Sequence, residues 1–440
     1  MELTFGIKLL FFLPFLLNYC IGLFLWPSKK NIIAVMDLPL LIIGYVGGIF
    51  FLLNDFPHAF DADNIIHLLV ILCLGSLAYC FFFYAAFISN SFIDKKIMTL
   101  QIIILDKIRE PTLDFKVVII SLSSMAIIFY LYSYISMGFV PMFADDPMSA
   151  KFFAQSYQDT YRPVAHYFRI ALNLSSLLFP FLIILTFLDD EKSNKLIFAL
   201  LFVCLTILTV LTLRRGMIAS AIMNMLLCFA LYYKRGKFMV LMIIFYFLVY
   251  SMGSISNSLF LYFLGMTEEI NLLSVFWGMP DVVDLCEFWD SFITSNYEYS
   301  MGRTIFGGMV PYHYDWNPAV VTKLVIGASP DTPSGGFRLP FQVEGYYTFG
   351  ILGVFLWSSF YGVVGGLYLK YIKHIIDNDR MEHFLQFFVL IFFTNMIFSI
   401  GIFLIKMQID QLFNICVAAL IILSTMRKFP YLSNDWRVVE

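Results

Sequence analysis

The chain has 440 residues, 60% of them hydrophobic and only 13% charged, with a mean hydropathy of +0.82. A soluble domain of this length does not carry that composition, so long apolar runs recurring from end to end mark a polytopic helical membrane protein. The net charge of −3 is too small to point to a polyanionic partner, and nucleic acid is set aside.

The first apolar run, 5–26, contains Lys8 and lacks a small-residue cleavage site, so it reads as a retained helix rather than a signal peptide. Run length predicts about 11 spans, near 5–25, 37–53, 65–88, 117–137, 168–188, 196–213, 217–233, 238–256, 345–369, 384–405 and 409–426. Lys and Arg in the connections set the orientation, because they favour the cytoplasmic side. Lys29 and Lys30 put the first connection inside, whereas 54–64 holds Asp55, Asp61 and Asp63 without a base and falls outside. Lys95, Lys96, Lys107, Arg109 and Lys116 return the next connection to the inside. The later basic groups, at Lys192 and Lys195, at 234–237, at Lys370 and Lys373, and at Arg427 and Lys428, keep the alternation. The N-terminus is therefore expected outside and the C-terminus inside.

The expected fold is all-α, a single transmembrane domain over 1–440 with a medium outer loop at 138–167 and a large one at 257–344. The large loop is acidic and rich in Pro and Gly, and its apolar run at 272–277 predicts helices lying on the membrane surface. There is no tandem repeat, nor the inverted two-half symmetry of many secondary transporters. Six of the seven Cys lie in apolar segments and only Cys286 falls in an outer loop, so neither a disulfide framework nor metal-type spacing is read.

Arg214 and Arg215 break the pattern, because the turn that they occupy lands outside. Guanidinium groups at such a boundary suit phosphate, two forks matching a diphosphate; snorkelling to lipid headgroups is the alternative. Closing the large loop, Arg338 and Glu344 precede a Gly-studded helix that runs to Gly366. A carboxylate there, partly desolvated, suits proton transfer, while an Arg338–Glu344 interface anchor would explain the same residues. Tyr157, Tyr161, Arg162, His166 and Arg169 interleave aromatic rings with cations, as a sugar with a phosphate would require; an aromatic belt is the plainer reading. His313 stands near Asp315 and can serve as a base, with Tyr312, Tyr314 and Trp316 offering stacking faces; a solvated turn is the alternative. Asp61 and Asp63 form an acidic pair of the kind that can hold a divalent metal, although an acidic surface loop explains them as well, and no metal site is assigned.

With these residues in view, the chain resembles the Wzy-type O-antigen (oligosaccharide repeat unit) polymerases of bacterial envelopes. The likeness lies in the layout, with a large outer loop before the last three spans. It also lies in Arg214-Arg215-Gly216 opening an apolar helix, and in the pattern Glu344, Tyr346, Phe349, Gly350, Gly353. The resemblance implies a multispanning (GT-C-like) glycosyltransferase of the bacterial inner membrane with its active site facing the periplasm. It implies undecaprenyl-diphosphate-linked oligosaccharides as substrates, no cofactor or metal, and a Wzz-type chain-length regulator as partner. An O-antigen ligase and a lipid-linked oligosaccharide flippase remain the alternatives. In the polymerase, Arg214, Arg215 and Arg338 would stabilise the leaving diphosphate, each such contact being worth about 3 kcal/mol in the transition state. Arg303, Arg162 and Arg169 would add substrate contacts, Glu344 or its rival His313 would be the base, and Tyr157, Tyr161, His166, Tyr312, Tyr314 and Trp316 would meet the sugars.

Overall fold

The computed structural model describes residues 60–108, 113–153, 155–188, 191–214, 216–233, 281–295, 297–307, 316–329, 339–377 and 383–426, with Gly6, Leu241, Ile244 and Met309. The runs expected at 5–25, 37–53, 238–256 and 272–277 lie outside the described residues. The longer helices are α1 (Ala62–Ile88), α2 (Phe92–Lys107), α3 (Leu113–Met137), α4 (Ala165–Leu188), α5 (Lys192–Val210) and α6 (Gly216–Tyr233). They are followed by α7 (Asp281–Thr294), α8 (Pro318–Val325), α9 (Phe341–Ile376), α10 (Phe384–Phe403) and α11 (Ile409–Thr425). Helices dominate because backbone groups in lipid must be satisfied within the segment. Among the described residues there is no strand, and six helices are long and apolar enough to cross a membrane: α1, α3, α4, α5, α9 and α10. The chain is a helical membrane protein.

Local chemistry sets the helix starts. The Asp61 carboxylate accepts the Asp63 amide at 3.3 Å and caps α1, which gives the acidic pair a structural place. The connection at 89–116, expected as a basic loop, contains the 16-residue helix α2, opened by a capping box between Ser91 and Asp94. In the 138–167 loop the chain makes short helical turns at Pro141–Phe143, Pro147–Phe152, Gln155–Tyr161 and Arg162–Val164. His166 and Arg169, expected in that loop, instead stand in the first turns of α4.

The largest departure from expectation is α9. The run at 345–369 is expected as one span, but Phe349 (φ −139°, ψ 24°) and Gly350 (φ 64°, ψ −147°) interrupt the helix. The Phe341 ring packs on Tyr361 at 5.0 Å, whereas residues that far apart along one straight helix would be separated by about 30 Å. The short arm, 341–348, therefore folds back along the long arm, 351–376. Glycine permits this twice over: Gly350 adopts a backbone region nearly closed to other residues, and a methyl on Gly353 would fall on the Gly345 carbonyl. The short arm also lies on α1, with Gln342 bonded to Ser76 at 3.3 Å and the Tyr346 ring 5.6 Å from His67. Gly353→Ala is expected to destabilise the fold by about 1–3 kcal/mol through overpacking, read as a lower thermal midpoint in detergent.

Two apolar cores result. One joins α3, α4, α5, α6, α10 and α11; the other gathers the start of α1, α7, α8 and the α9 break. At the end that includes Ser89, Lys370 bonds the Ser89 carbonyl and pairs with Asp94 at 2.8 Å, and the Tyr371 hydroxyl donates to Asp94 at 2.8 Å. Asp94 is 2% exposed. Burial works against its charge, but the bonds from Lys370, the Ser91 amide and Tyr371 prevail and hold the carboxyl below its ordinary range. Its contribution to stability is thus present above the ordinary aspartate pKa and lost as pH falls through the lowered one. Asp94→Ala is expected to cost about 3–5 kcal/mol by stranding a buried ammonium. Thermal unfolding of Asp94→Ala beside the double variant Asp94→Leu/Lys370→Met checks this, the double recovering most of the loss.

Candidate functional site

At the opposite end of the bundle, α5 stops in a polar turn. Its last carbonyls are taken by neighbouring hydroxyls: Tyr134 donates to the Leu208 carbonyl at 2.7 Å and Thr212 to the Thr209 carbonyl at 2.7 Å, while Tyr130 meets the Thr209 hydroxyl at 3.3 Å. Leu213 follows with φ 60°, a left-handed conformation unfavourable for leucine, and the Arg214 amide donates back to the Thr212 hydroxyl at 3.2 Å. The strained turn delivers the Arg214 side chain into a largely desolvated position. Burial depresses its pKa; Tyr161 and Tyr130 offset this, Arg169 adds to it, and Asp410 offsets it from beyond salt-bridge range. Arginine stays charged regardless. Among the described residues its guanidinium has neither a hydrogen-bond partner nor an ion pair, which leaves a partly buried cation uncompensated.

The 138–167 segment closes against this turn, the Met142 amide donating to the Leu211 carbonyl at 3.1 Å. Tyr161 is 9% exposed and its ring is stacked on Phe153 at 3.6 Å, so that face is closed to a sugar and Tyr161 belongs to the surroundings of Arg214. Tyr157 is half-buried, its ring against Phe139 at 4.8 Å and its hydroxyl accepting the Asp146 amide at 3.1 Å. Arg162 is exposed and bonds Gln158 at 3.1 Å; His166 and Arg169 are exposed on α4.

A second cluster surrounds Glu344 on the short arm of α9. Its carboxylate pairs with Lys406 at 2.7 Å, each side chain only a quarter to a third exposed (24% and 33%). The pair lies in a cleft walled by Phe288 from α7, Thr322 from α8, Tyr347 and Trp357 from α9, and Thr304 and Ile305. The helix break leaves the Tyr347 and Thr348 carbonyls without helical partners, and the amides of Ser300 (3.0 Å) and Met301 (3.1 Å) take them. Met301 is itself left-handed, with φ 48°. The Tyr347 hydroxyl is buried, and among the described residues it has no hydrogen-bond partner. Arg303 lies over the Trp316 ring at 4.6 Å, which occupies one face expected to be free for a sugar.

One turn joins the clusters. Between α10 and α11, the Met407 amide donates to the Ile305 carbonyl at 2.9 Å; Lys406 beside it reaches Glu344, and Asp410, four residues from Lys406, stands in the field of Arg214. Lys406 was legible by the rule that singles out Arg214, since it is a cation in a turn expected outside. Arg215, Arg338, His313, Tyr312 and Tyr314 lie outside the described residues. Among the described residues no group of three His, Cys, Asp or Glu side chains is placed to hold a metal.

Fold and site together define a helical membrane protein with a partly buried, charged site at one end of its bundle. No protein-family model, characterised protein or solved structure matches the chain.

Proposed function

We propose that the chain is an oligosaccharide repeat-unit polymerase of the Wzy type, transferring a growing glycan from undecaprenyl diphosphate to a lipid-linked repeat at the periplasmic face of the inner membrane. The observation that carries this reading is an uncompensated arginine joined through one turn to a carboxylate in a cleft. Arg214, with Arg169 beside it, binds the diphosphate and stabilises the charge that develops as it departs. Glu344 takes the proton from the acceptor hydroxyl, whose oxygen bonds to the anomeric carbon as the carbon–diphosphate bond breaks. Tyr157 and the walls of the Glu344 cleft receive the sugars, and Arg215 and Arg338 add phosphate contacts. A Wzz-type partner sets the chain length.

The test is the gel profile of surface lipopolysaccharide from a strain lacking the gene, with and without a plasmid copy. A core carrying a single repeat, restored to a ladder by the plasmid, supports the polymerase. Bare core overturns it in favour of a ligase or a flippase, and accumulation of long lipid-linked polymer then selects the ligase.

A further inference from the structure

We infer that the Glu344–Lys406 pair is a clasp for the vicinal diol of a saccharide, with Lys406 a substrate-binding residue of the same rank as Glu344. The inference deepens the polymerase reading and rests on it for taking the occupant to be a sugar.

The pair leaves hydrogen-bonding capacity unused. Lys406 presents three N–H donors, of which one is spent on Glu344 Oε1 at 2.7 Å; Glu344 Oε2 accepts from no described group. Neither side chain has another hydrogen-bond partner among the described residues. The free oxygen Oε2 and the free donors of Lys406 flank the same ion pair, whose bonded atoms, Oε1 and Nζ, are 2.7 Å apart. Adjacent hydroxyls of a pyranose ring also lie side by side, so one can donate to Glu344 while its neighbour accepts from Lys406, and the ion pair need not break. A lone hydroxyl satisfies only half of the clasp. A ligand phosphate would be repelled by Glu344, and a ligand ammonium by Lys406, which leaves a neutral diol as the matching chemistry.

A second observation points to an occupant in the same cleft. Tyr347 lines it, the residue is 4% exposed, and among the described residues its hydroxyl has no hydrogen-bond partner. A buried hydroxyl without a partner is costly unless a ligand or water completes it. Trp357 and Phe288 supply apolar walls for the carbon face of a ring. The Met407–Ile305 backbone bond holds the turn that carries Lys406, so the clasp is positioned before a ligand arrives.

Saturation-transfer NMR on the purified full-length protein in detergent, with methyl β-D-glucopyranoside and its 3-deoxy analogue as probes, tests this. Removing the 3-hydroxyl destroys both ring diols while leaving the ring and its charge unchanged. The glucoside is expected to bind about tenfold more tightly than the analogue, as the loss of one bond to a charged group implies. Lys406→Met is expected to erase that preference and Lys406→Arg to keep most of it; if Lys406→Met elutes as aggregate, the comparison of Lys406→Arg with Glu344→Gln decides, the former keeping the preference and the latter, without the free carboxylate oxygen, losing it. Equal binding of the two probes, a preference unchanged in Lys406→Met, or no binding of either at tens of millimolar overturns the proposal. Since the assay needs neither lipid nor polymer, a discriminating cleft in a protein whose deletion leaves the ladder intact would sink the polymerase reading and not the diol site.

Discussion

Arg214→Ala is expected to lower polymer yield by about 10²–10³-fold, the usual cost of removing one preorganised donor to developing charge, at unchanged amounts of protein in the membrane. The same substitution is expected to leave the thermal midpoint unchanged or to raise it. Arg214 is partly desolvated, and no carboxylate pairs with it among the described residues, so its removal relieves a desolvation cost and breaks no salt bridge. A residue kept for packing behaves the other way, losing stability and activity together. Arg214→Lys is expected to recover only a small part of the activity, because an ammonium lacks the planar fork that holds two phosphate oxygens. Lys192→Ala, an exposed cation at the start of α5, serves as control and is expected to lie within about twofold of wild type. Band intensity on the lipopolysaccharide gel, normalised to membrane-fraction immunoblot, and detergent thermal unfolding give the two readouts. A destabilised Arg214→Ala with proportionally reduced polymer would assign the residue to the fold and remove the diphosphate site.

The strained backbone agrees with that placement. Among the described residues, the three non-glycine residues with positive φ, Phe153, Leu213 and Met301, stack on Tyr161, precede Arg214 and hold the Thr348 carbonyl. All three therefore border the two charged clusters, where strain is tolerated if the surroundings over-determine it.

Hydropathy and the alternation of basic loops reveal the helices α1, α3 to α6, α10 and α11, because a span must be apolar over a fixed length. The same signal is blind to a reversal inside an apolar run. Residues 341–376 read as one stretch, and only the phase of Gly345, Gly350 and Gly353 carries the fold-back; glycine spacing serves helix packing equally well and does not specify it. Helix α2 was legible from Ser91 and Asp94, but its lysines drew it into a loop reading. At the site, Arg214 stood out by breaking a charge rule, and Lys406 obeys the same logic as a single charge instead of a pair. The partner of Glu344 was beyond reach, since the Glu344–Lys406 contact joins the short arm of α9 to the turn after α10, which meet only when that arm folds back. Tyr161 looks like its neighbour Tyr157 in the sequence, yet stacking on Phe153 closes its face.

Glu344→Gln is expected to cut polymer formation by about 10²–10⁴-fold, the span of a lost general base, while leaving the fold in place, because the amide oxygen can still accept from Lys406. Lys406→Met is expected to be the more damaging change for stability, since it leaves a carboxylate in the cleft without its cation. The double variant separates function from fold. If the two residues act as one unit, Glu344→Gln/Lys406→Met loses no more activity than Glu344→Gln alone, and its thermal midpoint rises above that of Lys406→Met. If Lys406 serves only to hold α10 and α11 against the Ile305 segment, the activity losses multiply and the midpoint of the double falls below both singles. The two outcomes differ in both readouts, so four proteins measured for ladder intensity and thermal midpoint decide between them. The cycle also bears on why a cation sits in this turn at all: a base held beside its own counter-ion keeps its orientation in the cleft, and the substrate hydroxyl, donating to the free carboxylate oxygen, supplies the proton that the carboxylate is placed to take.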